Sequence, residues 1–265
     1  MSLKLAKFEI DGGIRWGVIE DGFIHTVQGQ VYSGLDVTDE RFRLEEVKLL
    51  APAHGSCGKL IMLGVNYRSH FEEAKSKGWN VVESDEPVLF MTSRTALCGH
   101  MDDIVIANPQ NKTQYEAELV IVIGKEAVNV TVDRAGEHIL GYCCGNDISD
   151  RNIQQKDGQW MRSKSYATYK PMGPWIETVR PKDSARVILR RNGRIRQDAP
   201  ISDMIFGPER IVSYVSSNFR LDPGDVIFTG TPSGVGSIKP GDVIEVEIEG
   251  VGKLVNRVSD ARKLS

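Results

Sequence analysis

The stretch TQYEAELVIVIGK, residues 113–125, decides the reading, because its apolar run 119–123 has the texture of a buried strand and its entry carries two acids two residues apart. Alternation along a strand puts Glu116 and Glu118 on one face, followed on that face by Val120 and Val122. Two ionised carboxylates held close and away from water repel, and burying each is costly unless a cation or strong donors answer it. Two readings are open on this stretch alone. Either the strand starts at the surface with both acids in water, or the acids mark a site.

Composition narrows what such a site can serve. The chain has 265 residues, 26% charged and 40% apolar, with a formal net charge of -3. That is long enough for one large domain, or for one domain with a small appendage. No basic stripe, RNP-like aromatic pattern or zinc-finger spacing is present, which argues against nucleic acid as the partner. The start lacks the apolar core of a signal peptide and no apolar run reaches bilayer length, so a cytoplasmic protein with no membrane partner is expected. Cys57, Cys98, Cys143 and Cys144 form no C-x-x-C pair and read as reduced, mostly buried thiols.

Outward from the central stretch, short strands are predicted at KLIMLG, PVLFM, YCCGN and PMGPWIET. Hairpins are predicted around Asn192-Gly193 and around the glycines near 250. In the second hairpin Ile244, Val246 and Ile248 form one face, and Glu245, Glu247 and Glu249 a solvated one. Residues 4–27 read as a small antiparallel meander, and 49–58 as a linker. Helices are expected from Ser69 to about Lys77 and through GPERIVSYVSSNF, where Ile211, Val215 and Phe219 share a stripe. With few helices and no regular βαβ alternation, the fold class is α+β and β-rich. The expected division is a small N-terminal β domain with linker, 1–57, and a larger unit, 58–265.

Several residues could carry chemistry. Asp147 follows the strand YCCGN in a polar sequence; with Glu116, Glu118 and waters it would make an oxygen-rich site for Mg²⁺ or Mn²⁺ rather than zinc. Alternatively, Asp147 caps the helix that follows it. His70 and Glu73 stand i, i+3 on one helix face, as a general base with an orienting acid or as a surface ion pair. The histidines at 25, 54, 100 and 138 have no comparable neighbourhood. Lys164 and the loop TGTPSGVG, 229–236, whose backbone N–H groups could hold a carboxylate, complete the candidates; the loop is no P-loop.

Taken in order, GVNYRSHFEEA, YEAELVIVIGK, GNDISDR, Lys164 upstream of PMGPW, and LDPGDVIFTGTPSGVG resemble the fumarylacetoacetate hydrolase family, over about residues 58–260. Within that family they resemble the acylpyruvase and 2-hydroxyhepta-2,4-diene-1,7-dioate isomerase-like branch. The resemblance implies a mixed β-roll, assembled as a homodimer. It implies Glu116, Glu118 and Asp147 as ligands of Mg²⁺ or Mn²⁺, and His70 with Glu73 as a catalytic dyad on a lid helix. Arg151 and Lys164 match cations near metal and substrate; Gly230 and Thr231 match the loop that holds the substrate carboxylate. The chain departs from the family pattern at Ala167, where an aspartate is common, and at Asn152, where an acid is.

The activity so implied is cleavage of a C–C bond in a 2-oxo acid bearing a second carbonyl, through a metal-bound enolate. An acylpyruvate or fumarylpyruvate is the expected type of substrate. The same site could instead isomerise a hydroxymuconate or a 2-hydroxyhepta-2,4-dienedioate, or decarboxylate oxaloacetate. A silent protein that binds a 2-oxo acid is the non-enzymatic alternative.

Overall fold

The computed structural model describes residues 2–32, 34–55, 58–78 and 84–260, so Cys57 lies outside the described residues. The strand Ala117–Ile123 is buried along its whole length. It pairs antiparallel with Ile139–Asn146 on one side and Val226–Phe228 on the other. Leu119, Ile121 and Ile123 enter the main core, whereas Val120 and Val122 enter a second one with Leu5, Trp16, Met172 and Phe228. A strand covered on both faces needs apolar side chains at every position, which is why the run is unbroken.

This strand lies inside the largest sheet, which has twelve strands among the described residues. Its N-terminal part is the predicted meander, Lys4–Ile10, Gly13–Glu20 and Phe23–Gln28, extended by Asp36–Arg43. Lys4–Ile10 also pairs with Lys170–Glu177, through Lys4↔Glu177 and Leu5↔Ile176, so the meander continues the large sheet. The predicted linker is shorter than expected. Lys48–Leu50 is a strand on Lys4–Ile10, because Leu49 and Leu50 bury there.

Arg186–Arg191, Arg194–Pro200, Val243–Ile248, Gly252–Asp260 and Ile104–Ile106 make a second sheet. Ile244, Val246 and Ile248 face the core as expected, and Glu247 on the opposite face meets Arg190 at 2.5 Å. Asn192 and Gly193 have φ of 53° and 73°, the left-handed pair a type I′ turn requires. The helix Pro208–Asn218 buries Ile211, Val212 and Val215. Phe219, expected on that stripe, is its C-cap and lies 44% exposed, since the helix ends one residue before it.

One expectation about the opening stretch needs correction. Glu116 is not inside a continuous strand. Thr113–Tyr115 belongs to a small sheet with Ser149–Asp150 and Gly236–Ser237, and the chain crosses into the large sheet at Glu116.

Candidate metal centre

The crossing at Glu116 is held from the partner strand. Asn146 Oδ1 accepts the Glu116 N–H at 3.0 Å, and the Asp147 N–H donates to the Glu116 carbonyl at 2.8 Å. The register Ala117↔Asn146 and Glu118↔Gly145 therefore sets Asp147 beside both glutamates. One oxygen from each of Glu116, Glu118 and Asp147 lies within 4.8 Å of the other two, and all three residues are buried. Burial excludes the reading in which the two glutamates start the strand in water. Asp147 caps no helix either: that role falls to Asp150, whose Oδ1 accepts the Ile153 N–H at 3.1 Å at the start of the Arg151–Asp157 helix.

Cations surround two of the three acids. Lys164 Nζ, buried, lies 2.7 Å from Glu116 Oε2 and 2.5 Å from Asp147 Oδ2. Arg151 pairs with Glu116 Oε1 and donates at 2.7 Å to both Gln114 Oε1 and Gln154 Oε1. Lys170, which the sequence reading passed over, is fully buried with Nζ 2.7 Å from Asp147 Oδ1. Its ammonium also donates to the Tyr169 carbonyl at 3.0 Å and the Ile148 carbonyl at 3.2 Å.

The consequences for protonation diverge. Burial acts to raise the Glu116 carboxyl, but Arg151, Lys164 and His70 outweigh it and hold that group well below the ordinary range. The Glu118 side chain accepts the Gly230 N–H at 2.7 Å. Burial, and then the charges of Asp147 and Glu116, push its pKa well up, which favours its protonated form when no further cation is near. A trio of oxygen donors in which one acid is charged only at high cost fits a hard divalent ion such as Mg²⁺ or Mn²⁺.

This asymmetry fixes a sign. Ion uptake must strip the proton from Glu118, so apparent affinity is expected to rise with pH from the ordinary carboxylate range up through Glu118's raised pKa. Titration calorimetry of Mg²⁺ at neutral pH, in two buffers of different ionisation enthalpy, should report net proton release. Zero release would mean that Glu118 is already ionised.

The Arg68–Ser76 helix delivers the dyad. His70 Nδ1 lies 3.3 Å from Glu73 Oε2, and Lys77 Nζ 2.7 Å from Glu73 Oε1. Burial raises the Glu73 carboxyl, but hydrogen bonds from His70, Lys77 and the Gly234 N–H outweigh it and lower the pKa to about 2. Glu73 is thus ionised at neutral pH, and a carboxylate at that distance favours the imidazole tautomer that carries its proton on Nδ1.

The glycine loop is occupied rather than open. Gly230 N–H is bonded to Glu118, Ser233 N–H donates to Ser69 Oγ at 3.3 Å, and Gly234 N–H to Glu73 Oε2 at 3.2 Å. Thr231 Oγ1 accepts from Gln197 Nε2 at 2.8 Å, a buried glutamine that the sequence reading did not single out. Gly230 has φ +90°, and a Cβ there would stand 2.8 Å from Asn66 Cβ. Asn66 cannot yield, since its side chain holds the Thr229 carbonyl at 2.7 Å and both the N–H and carbonyl of Phe206. Gly230→Ala is therefore expected to lower the melting temperature by about 3–10 °C and to weaken Mg²⁺ binding by moving the donor off Glu118. Differential scanning fluorimetry across a Mg²⁺ series checks both.

A cavity of about 840 Å³ lies elsewhere, lined by Phe23, Leu44, Trp175 and Lys253 among others. No helix among the described residues is long and apolar enough to cross a membrane.

Comparison with known proteins agrees with this geometry. Residues 59–259 match the family described as fumarylacetoacetate (FAA) hydrolase, C-terminal, and residues 3–52 one described as Rv2993c-like, N-terminal. The chain is 41% identical to a protein of Archaeoglobus fulgidus over 95% of its own length and 94% of the relative's. It is 37% identical to a maleylpyruvate hydrolase of Aquipseudomonas alcaligenes, over 81% and 76%. The crystal structure of a 5-carboxymethyl-2-hydroxymuconate delta-isomerase from Mycobacterium smegmatis superposes with a TM-score of 0.88 at 36% identity, covering 97% of this chain and 99% of that one. With about three-quarters of its length matched in one stretch and relatives so alike from end to end, the chain belongs to the fumarylacetoacetate hydrolase family.

Proposed function

We propose that the protein is a divalent-metal-dependent enzyme that hydrolyses the C–C bond of a 2-oxo acid bearing a second carbonyl two carbons along, of the acylpyruvate or fumarylpyruvate type. The observation that carries this reading is the histidine–carboxylate pair set against the buried acid trio, close enough for His70 to lower the Glu116 carboxyl. Glu116, Glu118 and Asp147 are the residues that would hold Mg²⁺ or Mn²⁺. When bound, the ion would polarise the 2-oxo group and take up negative charge that develops on it.

The chain's own residues supply the rest. His70 Nε2, with Nδ1–H directed at Glu73, accepts a proton from the water that attacks the distal carbonyl. The C–C bond then breaks, the distal fragment leaves as a carboxylic acid, and the bond's electron pair stays on the carbon next to the 2-oxo group. The imidazolium returns its proton to that carbon, giving pyruvate and a neutral His70. Arg151 and Lys164 keep Glu116 ionised, and Lys164 and Lys170 flank Asp147. Thr231, held by Gln197, would receive the substrate carboxylate. A cytoplasmic homodimer belongs to the same reading, and light scattering in solution tests the assembly.

The isomerase reading is kept because the M. smegmatis protein described above carries that name. A panel of acetylpyruvate, fumarylpyruvate, oxaloacetate and 5-carboxymethyl-2-hydroxymuconate, with and without Mg²⁺ or Mn²⁺, separates the possibilities. Metal-dependent pyruvate release from an acylpyruvate is expected. Loss of the muconate's absorbance without pyruvate from any member would transfer the assignment to isomerisation.

A further inference from the structure

The helix that carries His70 has no cap of its own. Its N-cap residue is Tyr67, whose side chain accepts no hydrogen bond from the first turn. The acceptor comes from a distant segment: Asp203 Oδ2 takes the Ser69 N–H at 3.2 Å and the Ser69 hydroxyl at 2.5 Å. Ser69 Oγ in turn accepts the Ser233 N–H, from the loop that reaches Glu118 at Gly230 and Glu73 at Gly234. On the other side of the same turn, Arg68 donates to the Met204 carbonyl at 3.0 Å, and Tyr67 bridges to Met204. Asp203 thus sits where the 201–204 turn, the first turn of the dyad helix and the glycine loop meet.

We propose that Asp203 is a positioning residue for the His70–Glu73 dyad: by capping the Arg68–Ser76 helix from outside and locking Ser69 to the glycine loop, it fixes where the imidazole stands relative to the acid trio. Asp203 acts through Ser69, whose N–H and hydroxyl it accepts. This rests on the assignment of His70 as the base. The capping geometry itself does not.

The consequence is separable from metal binding and from fold stability. Loss of an N-cap acceptor frees the helix end by about fivefold in equilibrium terms. His70 is only 6% exposed, so its reaction with diethyl pyrocarbonate, followed at the His70 peptide by mass spectrometry, reports that release without any substrate. Asp203→Ala is expected to speed the modification by about fivefold. Asn keeps an acceptor oxygen, so Asp203→Asn should modify at the wild-type rate. In steady-state turnover with Mg²⁺, Asp203→Ala should lose about 10- to 100-fold in kcat with metal affinity unchanged, and Asp203→Asn should recover most of it.

Ser69→Ala, which keeps the helix N–H bond but cuts the link to the loop, is expected to speed His70 modification too. It serves if Asp203→Ala does not fold. Equal modification rates in wild type, Asp203→Ala and Ser69→Ala would overturn the proposal, as would an Asp203→Asn as reactive as Asp203→Ala. A parallel loss of Mg²⁺ affinity would also overturn it, by placing Asp203's influence in the acid trio. A wild type that cleaves no 2-oxo acid, yet shows the expected modification pattern, would sink the proposed reaction and uphold the positioning role.

Discussion

Glu118→Gln is expected to abolish divalent-ion binding while leaving the metal-free protein within about 1 kcal/mol of wild type at neutral pH. Both halves follow from the protonation state of Glu118. Without an ion, burial and its acidic neighbours push this carboxyl toward its neutral form, and it accepts the Gly230 N–H. Glutamine presents the same oxygen to that N–H in the same volume and also carries no charge. What glutamine cannot do is ionise when a cation arrives. For the wild type, Mg²⁺ at about a hundred times its Kd should add about 2.7 kcal/mol of stability. The variant should show no Mg²⁺-dependent rise in melting temperature, and turnover should fall on the order of 10³-fold. A full Mg²⁺ shift in Glu118→Gln would remove Glu118 from the ligand set.

The same test on its neighbours reads differently. Glu116 answers Arg151 and Lys164, and Asp147 lies between Lys164 and Lys170. Removing either acid strands buried cations, at a cost of about 3–5 kcal/mol. A Glu116→Ala protein that ignores Mg²⁺ could simply be damaged, so Glu118 is the acid whose replacement isolates the metal question.

How much of this could be read from the chain depends on where each constraint lives. The run 119–123, the turn at Asn192-Gly193 and the Pro208–Asn218 helix were legible because their signals are local: periodicity, a glycine that tolerates positive φ, a proline in a first turn. The acid trio was legible only in part. Spacing put Glu116 and Glu118 together, but it could not show that the chain changes sheets at Glu116, since that depends on Ser149–Asp150 and Gly236–Ser237 pairing with Thr113–Tyr115. Lys170 escaped notice because a lysine at the start of a strand ordinarily reaches water. Only the fold buries it over Asp147, through pairing of its strand with Ile139–Asn146. Asn66, Gln197 and Asp203 are polar residues whose partners lie 140, 34 and 134 positions away, and no period in the sequence encodes such contacts.

Replacing the dyad base should separate chemistry from binding. His70→Ala is expected to lower kcat by about 10²–10⁴-fold, the range general-base catalysis supplies, while the Mg²⁺-induced rise in melting temperature persists. Persistence follows because His70 is not among the three residues whose oxygens converge, and Glu118, whose charge the ion stabilises, does not depend on it. Glu73→Gln should cost less, on the order of 10-fold, because the amide oxygen still accepts from His70 and from Gly234 while the charge that favours the imidazolium is gone. Glu73 also gives the pair an acid limit. Its pKa is depressed in the folded protein, so what its ionised form contributes is complete above the ordinary carboxylate value of 4.5 and is lost as pH falls toward about 2. Glu73 should therefore contribute nothing to the acid limb of the wild-type rate above pH 5. A His70→Ala protein that hydrolyses acylpyruvates at the wild-type rate would remove the dyad from the reaction. If it lost hydrolysis but still decarboxylated oxaloacetate, the base would be needed for the water and not for breaking the carbon–carbon bond.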